Sequence, residues 1–304
     1  MIYKGIPKIN DYQNIMYSEM FLNMETFANK FVEDYRKCLY NYPWVKDSLH
    51  HWSRQYEYPY VFYNVSSFIR NSKIPHCKIL DAGSGVTFFP YYIKESFQNT
   101  AVVCCDQEVI NKDIFKDIND NFQNKISFNI EDLRETNYHD CSFDIIYCIS
   151  VLEHTEDYEK IIKEFKRILK PSGKLILTFD ICIKGDDDIS PERAERLLNI
   201  LYTEFPPKNE EDKIILKDEL NSTDLLTTDY VATVIPSSVH QHSLIKLIPL
   251  LKSGLRVIIS ENLLQKVISC FQPGLRKEIR EKLSFFKRPG ITNITICCGE
   301  FYRT

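Results

Sequence analysis

Hydrophobic positions recur along the chain in two rhythms. Between Tyr17 and Leu39, Met20, Phe21, Met24, Phe27, Phe31 and Tyr35 fall three and four residues apart. That spacing places them on one face of an amphipathic helix. Residues 1 to about 76 read as helical and aromatic throughout, a helical N-terminal cap. From residue 78 the rhythm changes. Ile79-Leu80, Ala101–Cys105, Ile126–Phe128, Phe143–Ile149 and Lys174–Phe179 are short apolar runs that predict strands. Phe88–Phe97, Val109–Phe122 and Asp157–Leu169 predict the helices between them, the last with Tyr158, Ile161, Ile162, Phe165, Ile168 and Leu169 on one face. Lys170-Pro-Ser-Gly173 supplies the stop residues of that helix. Apolar strands alternating with amphipathic helices predict a parallel sheet covered on both faces, an α/β fold.

The alternation breaks between residues 181 and 243. Gly185–Asp188 is a polar loop, and Ser190-Pro-Glu combines a cap, a first-turn proline and an acidic first turn, the start of a helix. Periodicity is weak from Phe205 to Ser243. It resumes with a helix over Leu244–Leu251, a strand over Leu255–Ser260, helices to about Phe286 and a last strand over Ile291–Cys298. The middle block therefore reads as an insertion after strand 5. Ligands of open α/β sheets bind outside the carboxyl ends of the strands, so the insertion is placed to be a substrate lid; a plain surface elaboration is the alternative. The domain reading is a cap over 1–76 and a second unit over 77–304 that contains the 181–243 insertion.

Composition narrows the chemistry. With 44% hydrophobic and 26% charged residues the chain can bury a core. A net charge of -4 gives no electrostatic case for nucleic acid as a partner. No apolar run is long enough to span a bilayer, since Leu244–Ile259 is broken by Lys246, Lys252 and Arg256. The first residues lack the apolar core of a signal peptide, which together with reduced cysteines points to a cytoplasmic protein. The ten cysteines include the adjacent pairs Cys104-Cys105 and Cys297-Cys298 inside apolar runs. Neighbours on a strand point to opposite faces, so neither pair is suited to share a metal or a bridge; no metal site is expected.

The candidate chemistry gathers at Asp81-Ala-Gly-Ser-Gly85, where a strand ends in a carboxylate and a glycine turn leads into a helix. Such a turn lets backbone approach a ligand closely. Asp106 ends the second strand, about twenty residues on, where a carboxylate suits ribose hydroxyls. Asp132, with Leu133 beside it, follows the third strand, where it can meet a base edge. Two nucleotide-like ligands compete, a nicotinamide dinucleotide and an adenosyl sulfonium. The dinucleotide pattern needs a small residue where the helix starts, and Phe88 stands there, which disfavours pyrophosphate.

Leu80-Asp-Ala-Gly-Ser-Gly85, Asp106, Asp132, Ser142-Phe-Asp-Ile-Ile-Tyr-Cys-Ile-Ser-Val-Leu-Glu-His154 and Ile168-Leu-Lys-Pro-Ser-Gly-Lys-Leu-Ile-Leu177 together resemble class I S-adenosylmethionine-dependent methyltransferases, most closely the methyltransferase type 11 group. The resemblance covers about residues 77–180 and departs at Thr87, where many members have a third glycine. It implies a Rossmann-like seven-stranded sheet with the last strand antiparallel. It implies S-adenosylmethionine as cofactor, with Asp81 and Gly83 near the methionine moiety and Ser84 and Gly85 completing the turn. Asp106, with Gln107, would hold the ribose and Asp132 and Leu133 the adenine; Ile149 and Ser150 would line the cofactor. For a general base the candidates are His154, at the end of the fourth strand, and His240 and His242 in the insertion, each with a plain structural or solvated alternative. The stretch His50-His-Trp-Ser-Arg-Gln-Tyr-Glu-Tyr-Pro59 is dense in polar and aromatic groups and either covers the pocket or is an ordinary connection. The reaction expected is methyl transfer to O or N of a small molecule. Richness in Ile, Lys, Asn, Tyr and Phe hints at an AT-rich bacterial genome, which ranks a sugar or nucleotide-linked metabolite of capsule biosynthesis first. A cofactor-binding module without catalysis and a nicotinamide oxidoreductase are the other readings.

Overall fold

In the computed structural model the apolar runs pair into one sheet. The structure describes residues 2–39, 49–50, 53–72, 74–123, 125–155, 157–183, 189–228, 230 and 294–303. Strands β1 (Cys77–Ala82), β2 (Thr100–Asp106), β3 (Ser127–Ile130), β4 (Phe143–Ile149) and β5 (Leu169–Cys182) are parallel, and β6 (Ile294–Tyr302) runs antiparallel to β5. The order is β3-β2-β1-β4-β5-β6. Strand order thus reverses between β1 and β4, which opens a crevice at their carboxyl ends. Six strands are seen among the described residues where seven are expected. The missing one, predicted over Leu255–Ser260, lies outside the described residues, as do the helices predicted around it.

Two apolar layers flank the sheet, as the alternation of side chains requires. On one face Ile79, Cys104, Ile145, Tyr147, Ile176 and Cys298 pack under α1 (Ile9–Met16), α2 (Glu19–Asp34), α3 (Arg54–Ser72), α4 (Phe89–Ser96) and α5 (Ile110–Asn121). On the other, Leu80, Cys105, Ile146, Leu175, Leu177 and Cys297 pack against α6 (Tyr158–Ile168) and α7 (Pro191–Glu204). Each adjacent cysteine pair is split between the two layers, and the nine described cysteines are free.

The cap is joined to this core by aromatic contacts. Phe27 and Phe31 of α2 lie against Tyr92, Tyr91 and Phe122 at centroid distances of 5.3, 5.1 and 6.5 Å. The α2 helix ends at Asp34, short of the predicted Leu39, yet Tyr35 and Leu39 stay buried through a following turn. The chain before α1 runs beside β6, with Gly5 and Cys298 exchanging backbone hydrogen bonds of 2.7 and 2.9 Å.

The start of α7 is as read from the sequence: the Ser190 hydroxyl accepts from the Arg193 N–H, and Pro191 takes the first turn. Its Ala194, Leu197, Leu198 and Leu201 are buried in the second layer. This part of the 181–243 segment is therefore core of the sheet's face. The helix α6 stops at Ile168, and the residue that adopts left-handed backbone after it is Ser172, at φ 62°, not Gly173. Gly173 is required instead for space, since a Cβ there would lie 2.8 Å from the Leu169 side chain. No described helix is long and apolar enough to cross a membrane.

Candidate functional site

The loop after β1 is held by the strand beside it. The Gly83 and Ser84 N–H groups donate to the Cys105 carbonyl at 2.9 and 3.0 Å. Gly83 has φ +72°, and a Cβ at that position would lie 2.6 Å from the Val151 Cγ2. Left-handed backbone and tight packing both demand glycine here. Gly85, at φ 51°, donates its N–H to the Asp106 Oδ2 at 2.9 Å, while Asp106 Oδ1 accepts from the Glu108 N–H at 3.0 Å. Asp106 is half-buried at the end of β2, with Gln107 exposed beside it. Each of its oxygens keeps a second lone pair, so the carboxylate can still accept from a ligand diol.

The predicted helix start is closed by aromatics. Phe88 is fully buried, edge-on to Tyr58 at 5.4 Å, and Tyr58 stacks on Phe89 at 4.4 Å. A helix terminus covered in this way offers no seat for a pyrophosphate.

Carboxyls at successive strand ends meet different surroundings. Asp81 is only 5% exposed. Burial pushes its carboxyl up to about 8; the Asp106 charge adds to the rise, while Tyr147 and Arg54 oppose it. Asp132 lies in the open, where Arg134 grips it with Nε and Nη2 at 2.9 and 2.6 Å. That grip lowers Asp132 to about 2. Arg134 also reaches Asp157 at 3.2 Å. Asp132 therefore spends its best lone pairs on a neighbouring cation rather than holding them towards a base. Leu133 turns towards the second apolar layer.

The first turn of α3 closes over the ends of β4 and β5. Ser150, which follows β4 at φ 48°, donates its hydroxyl to the Glu57 Oε1 at 2.7 Å and accepts from the Arg54 Nη1 at 2.6 Å. Thr178 of β5 donates to the same Glu57 oxygen at 2.5 Å, and Arg54 pairs with Glu57 Oε2. Burial alone would raise the Glu57 carboxyl, but Arg54 and the hydroxyls of Thr178, Ser150 and Ser53 outweigh it and hold it below its ordinary value. Glu153, 6% exposed, accepts from the Asp180 N–H through Oε1, and its buried Oε2 has no hydrogen-bond partner among the described residues. Burial pushes this carboxyl up to about 8 as well.

The structure thus brings together Asp81, Gly83, Ser84, Gly85, Asp106 and Ser150 at one end of the sheet. Ile149, at the end of β4, is buried in the first layer. His154 is exposed on a short helical turn, while its neighbour Glu153 points inward. His240 and His242 lie outside the described residues. Arg54, Glu57, Thr178 and Glu153 were missed as individual site residues. For Arg54 and Glu57 the sequence signal was the polar density of residues 50–59, and Glu153 stood in the motif that ends at His154; the pairing of α3 with the β4 and β5 ends is tertiary. A separate cavity of about 260 Å³ between Ile69, Pro75, Cys77, Phe97 and Thr100 lies at the opposite, amino-terminal end of β1 and β2. Among the described residues no group of three or more His, Cys, Asp or Glu is arranged to hold a metal.

Comparison with known proteins agrees with this arrangement. Residues 80–177 match the family model described as a methyltransferase domain. A tRNA U34 carboxymethyltransferase of Nautilia profundicola is 26% identical over 126 residues, 41% of each chain. Methyltransferase GfsG of Streptomyces halstedii is 29% identical over 39% of this chain and 43% of its own. Phosphoethanolamine N-methyltransferase 3 of Arabidopsis thaliana is 30% identical over 36% of this chain and 22% of its own. The matches span less than half the length of these relatives. Among solved structures, a SAM-dependent methyltransferase from Methanosarcina mazei superposes with a TM-score of 0.32 at 23% identity, covering 36% of this chain and 56% of that one. The glycine turn, the acidic strand ends and the reversal of strand order all fall within or beside the matched segment, and residues 80–177 are similar to a methyltransferase domain.

Proposed function

We propose that this chain transfers a methyl group from S-adenosylmethionine to an oxygen or nitrogen of a small molecule. The observation that carries the reading is the Gly83–Gly85 turn tied to Asp106 at the reversal of strand order. The residues fit the cofactor. Asp106 keeps lone pairs for a ribose diol. Asp81 is a buried carboxyl that a nearby positive group would ionise, and the cofactor carries an ammonium and a sulfonium. When bound, S-adenosylmethionine supplies an electrophilic methyl on a good, neutral leaving group. What the chain must add is alignment. Holding donor and acceptor in line contributes roughly 7–11 kcal/mol to such a reaction. A general base adds about 10²–10⁴-fold. Alignment is therefore the larger task, and the α3 turn over β4 and β5 is positioned to share it. His154, His240 and His242 are the proposed bases, with His154 in the open beside the site.

For the acceptor, we propose a sugar or nucleotide-linked or phosphorylated metabolite, with surface-polysaccharide synthesis as the context. That choice rests on composition. The names of the relatives include a tRNA and a phosphoethanolamine as acceptors; the net charge of -4 favours the small molecule. The 181–243 insertion is proposed as its lid, through the residues beyond α7. Titration calorimetry with S-adenosylmethionine and S-adenosylhomocysteine tests the reading. Micromolar binding that Asp106→Ala removes upholds it, and no binding by the intact chain ends it.

A further inference from the structure

The first turn of α3 lies outside the matched segment 80–177 and carries a guanidinium over the carboxyl ends of β4 and β5. Arg54 uses one nitrogen for all its hydrogen bonds. Nη1 reaches Ser53 Oγ at 3.3 Å, Ser150 Oγ at 2.6 Å and Glu57 Oε2. Among the described residues no hydrogen bond engages its Nη2 or Nε. A guanidinium has five N–H donors, so the edge away from Glu57 keeps most of its capacity. The Arg54 side chain is 22% exposed, whereas Glu57 behind it is fully buried. One edge is therefore locked by Glu57 and Ser150, the guanidinium lies 5.9 Å from the centroid of the Tyr58 ring, and the other edge keeps its donors in a side chain that is partly open.

This is the geometry of a recognition arginine rather than of a structural one. A structural ion pair is satisfied by both partners; here the carboxylate is saturated and the guanidinium is not. A rigid, pre-oriented fork pairs with a carboxylate or phosphate through two parallel hydrogen bonds. The neighbouring carboxyls do not cancel its charge fully. Arg54 holds the Glu57 carboxyl below its ordinary value, Asp180 bears on the guanidinium, and burial pushes the Asp81 and Glu153 carboxyls up, which disfavours their charged forms.

We propose that Arg54 is an anion-recognition residue, whose free donor edge takes a carboxylate or phosphate of a molecule bound at the carboxyl ends of β4 and β5. The proposal rests on the methyltransferase reading only for where such an anion comes from: the amino-acid carboxylate of the methyl donor, or an acidic group on the acceptor.

The test is calorimetry on the full chain and on Arg54→Gln and Arg54→Lys, with thermal melts to confirm folding. Three probes separate the sources. S-adenosylhomocysteine carries the carboxylate; 5′-methylthioadenosine keeps the nucleoside and sulfur without it; inorganic phosphate is titrated into chain saturated with S-adenosylhomocysteine. A loss of about tenfold or more for S-adenosylhomocysteine in Arg54→Gln, with 5′-methylthioadenosine unchanged, assigns the donor's carboxylate. Loss of phosphate binding alone assigns the acceptor's group. Either result upholds the proposal, and Arg54→Lys, with charge but no fork, should fall between. Equal weakening of S-adenosylhomocysteine and 5′-methylthioadenosine overturns it, as does unchanged binding of all three probes. If Arg54→Gln does not fold, Arg54→Lys decides: binding of all three probes equal to wild type overturns the proposal. Should the wild-type chain bind neither nucleoside, the methyltransferase reading fails; phosphate titrated into the bare chain then decides on Arg54 alone, upheld by binding that Arg54→Gln abolishes and overturned by no binding.

Discussion

The two ends of the candidate site use the same residue type in opposite ways. Near β1, β4 and β5, Asp81, Glu57 and Glu153 are all buried, and desolvation is opposed there by Arg54 together with hydrogen bonds from hydroxyls and backbone. Near β3, Asp132 sits in solvent with a side chain 46% exposed, ionised and clamped by Arg134. Asp106, between them, is half-buried and held by two backbone N–H groups. Burial makes a carboxyl sensitive to any charge that arrives, because little water screens the interaction. Exposure makes it indifferent. The buried end is therefore built to respond to a ligand's charge, and the exposed end to contribute shape and hydrogen bonds.

Substitutions at the buried end should have the largest effects. Glu57→Ala leaves Arg54 and two hydroxyls without their shared acceptor, and breaking such a buried pair costs about 3–5 kcal/mol. Chemical denaturation checks this; a change below about 1 kcal/mol would mean that the network is not a buried one. Asp106→Ala should weaken S-adenosylhomocysteine about a hundredfold, the scale of a charged hydrogen bond to a ligand, with little change in melting temperature. If stability falls as much as affinity, Asp106 is a loop anchor rather than a ligand group. Gly83→Ala combines left-handed backbone with the contact to Val151 and should destabilise the fold by roughly 1–3 kcal/mol, read in the same denaturation experiment.

The pH dependence separates the two ends by sign. Asp81 and Glu153 have folded carboxyls raised to about 8, above their unfolded values. Their contribution is fully present below the unfolded values, near pH 4, and is lost as pH rises through about 8. Stability should thus decline across that window, and Asp81→Asn should flatten part of the decline. Asp132 is lowered to about 2, so its contribution is present at neutral pH and lost as pH falls below about 4. That loss should be slight, because the pair with Arg134 is exposed and screened. The smallest effect is expected for Arg134→Ala. Freeing Asp132 should tighten S-adenosylhomocysteine by at most about fivefold, the scale of an exposed ion pair. Weaker binding would show instead that Arg134 itself touches the nucleoside.

Much of this was legible in the chain. Continuous apolar runs placed the first four strands to within two residues and the middle of β5, which begins at Leu169 rather than Lys174, and period-two alternation correctly split Cys104 from Cys105 and Cys297 from Cys298 between the two layers. Gly83, Gly85 and Asp106 were readable because a tight turn and the carboxylate facing it are encoded within about 25 residues of one βαβ unit. Phe88 argued against a pyrophosphate for a local reason, its bulk at a helix start. Other choices were not local. At Glu153-His154 sequence favoured the histidine for its chemistry, yet the turn after β4 points the glutamate inward and the histidine to solvent. The Arg54–Glu57 pair is an ordinary i,i+3 spacing until Ser150 and Thr178, 93 and 121 residues from Glu57, meet it.

The sequence by itself determined the sheet, its two apolar faces and the glycine turn beside Asp106, because each follows from side-chain period and backbone sterics over short spans. Tertiary structure alone decided which carboxyls are charged and which arginine donors stay free. Burial and partner geometry control both, and both depend on residues brought together from α3, β1, β4 and β5.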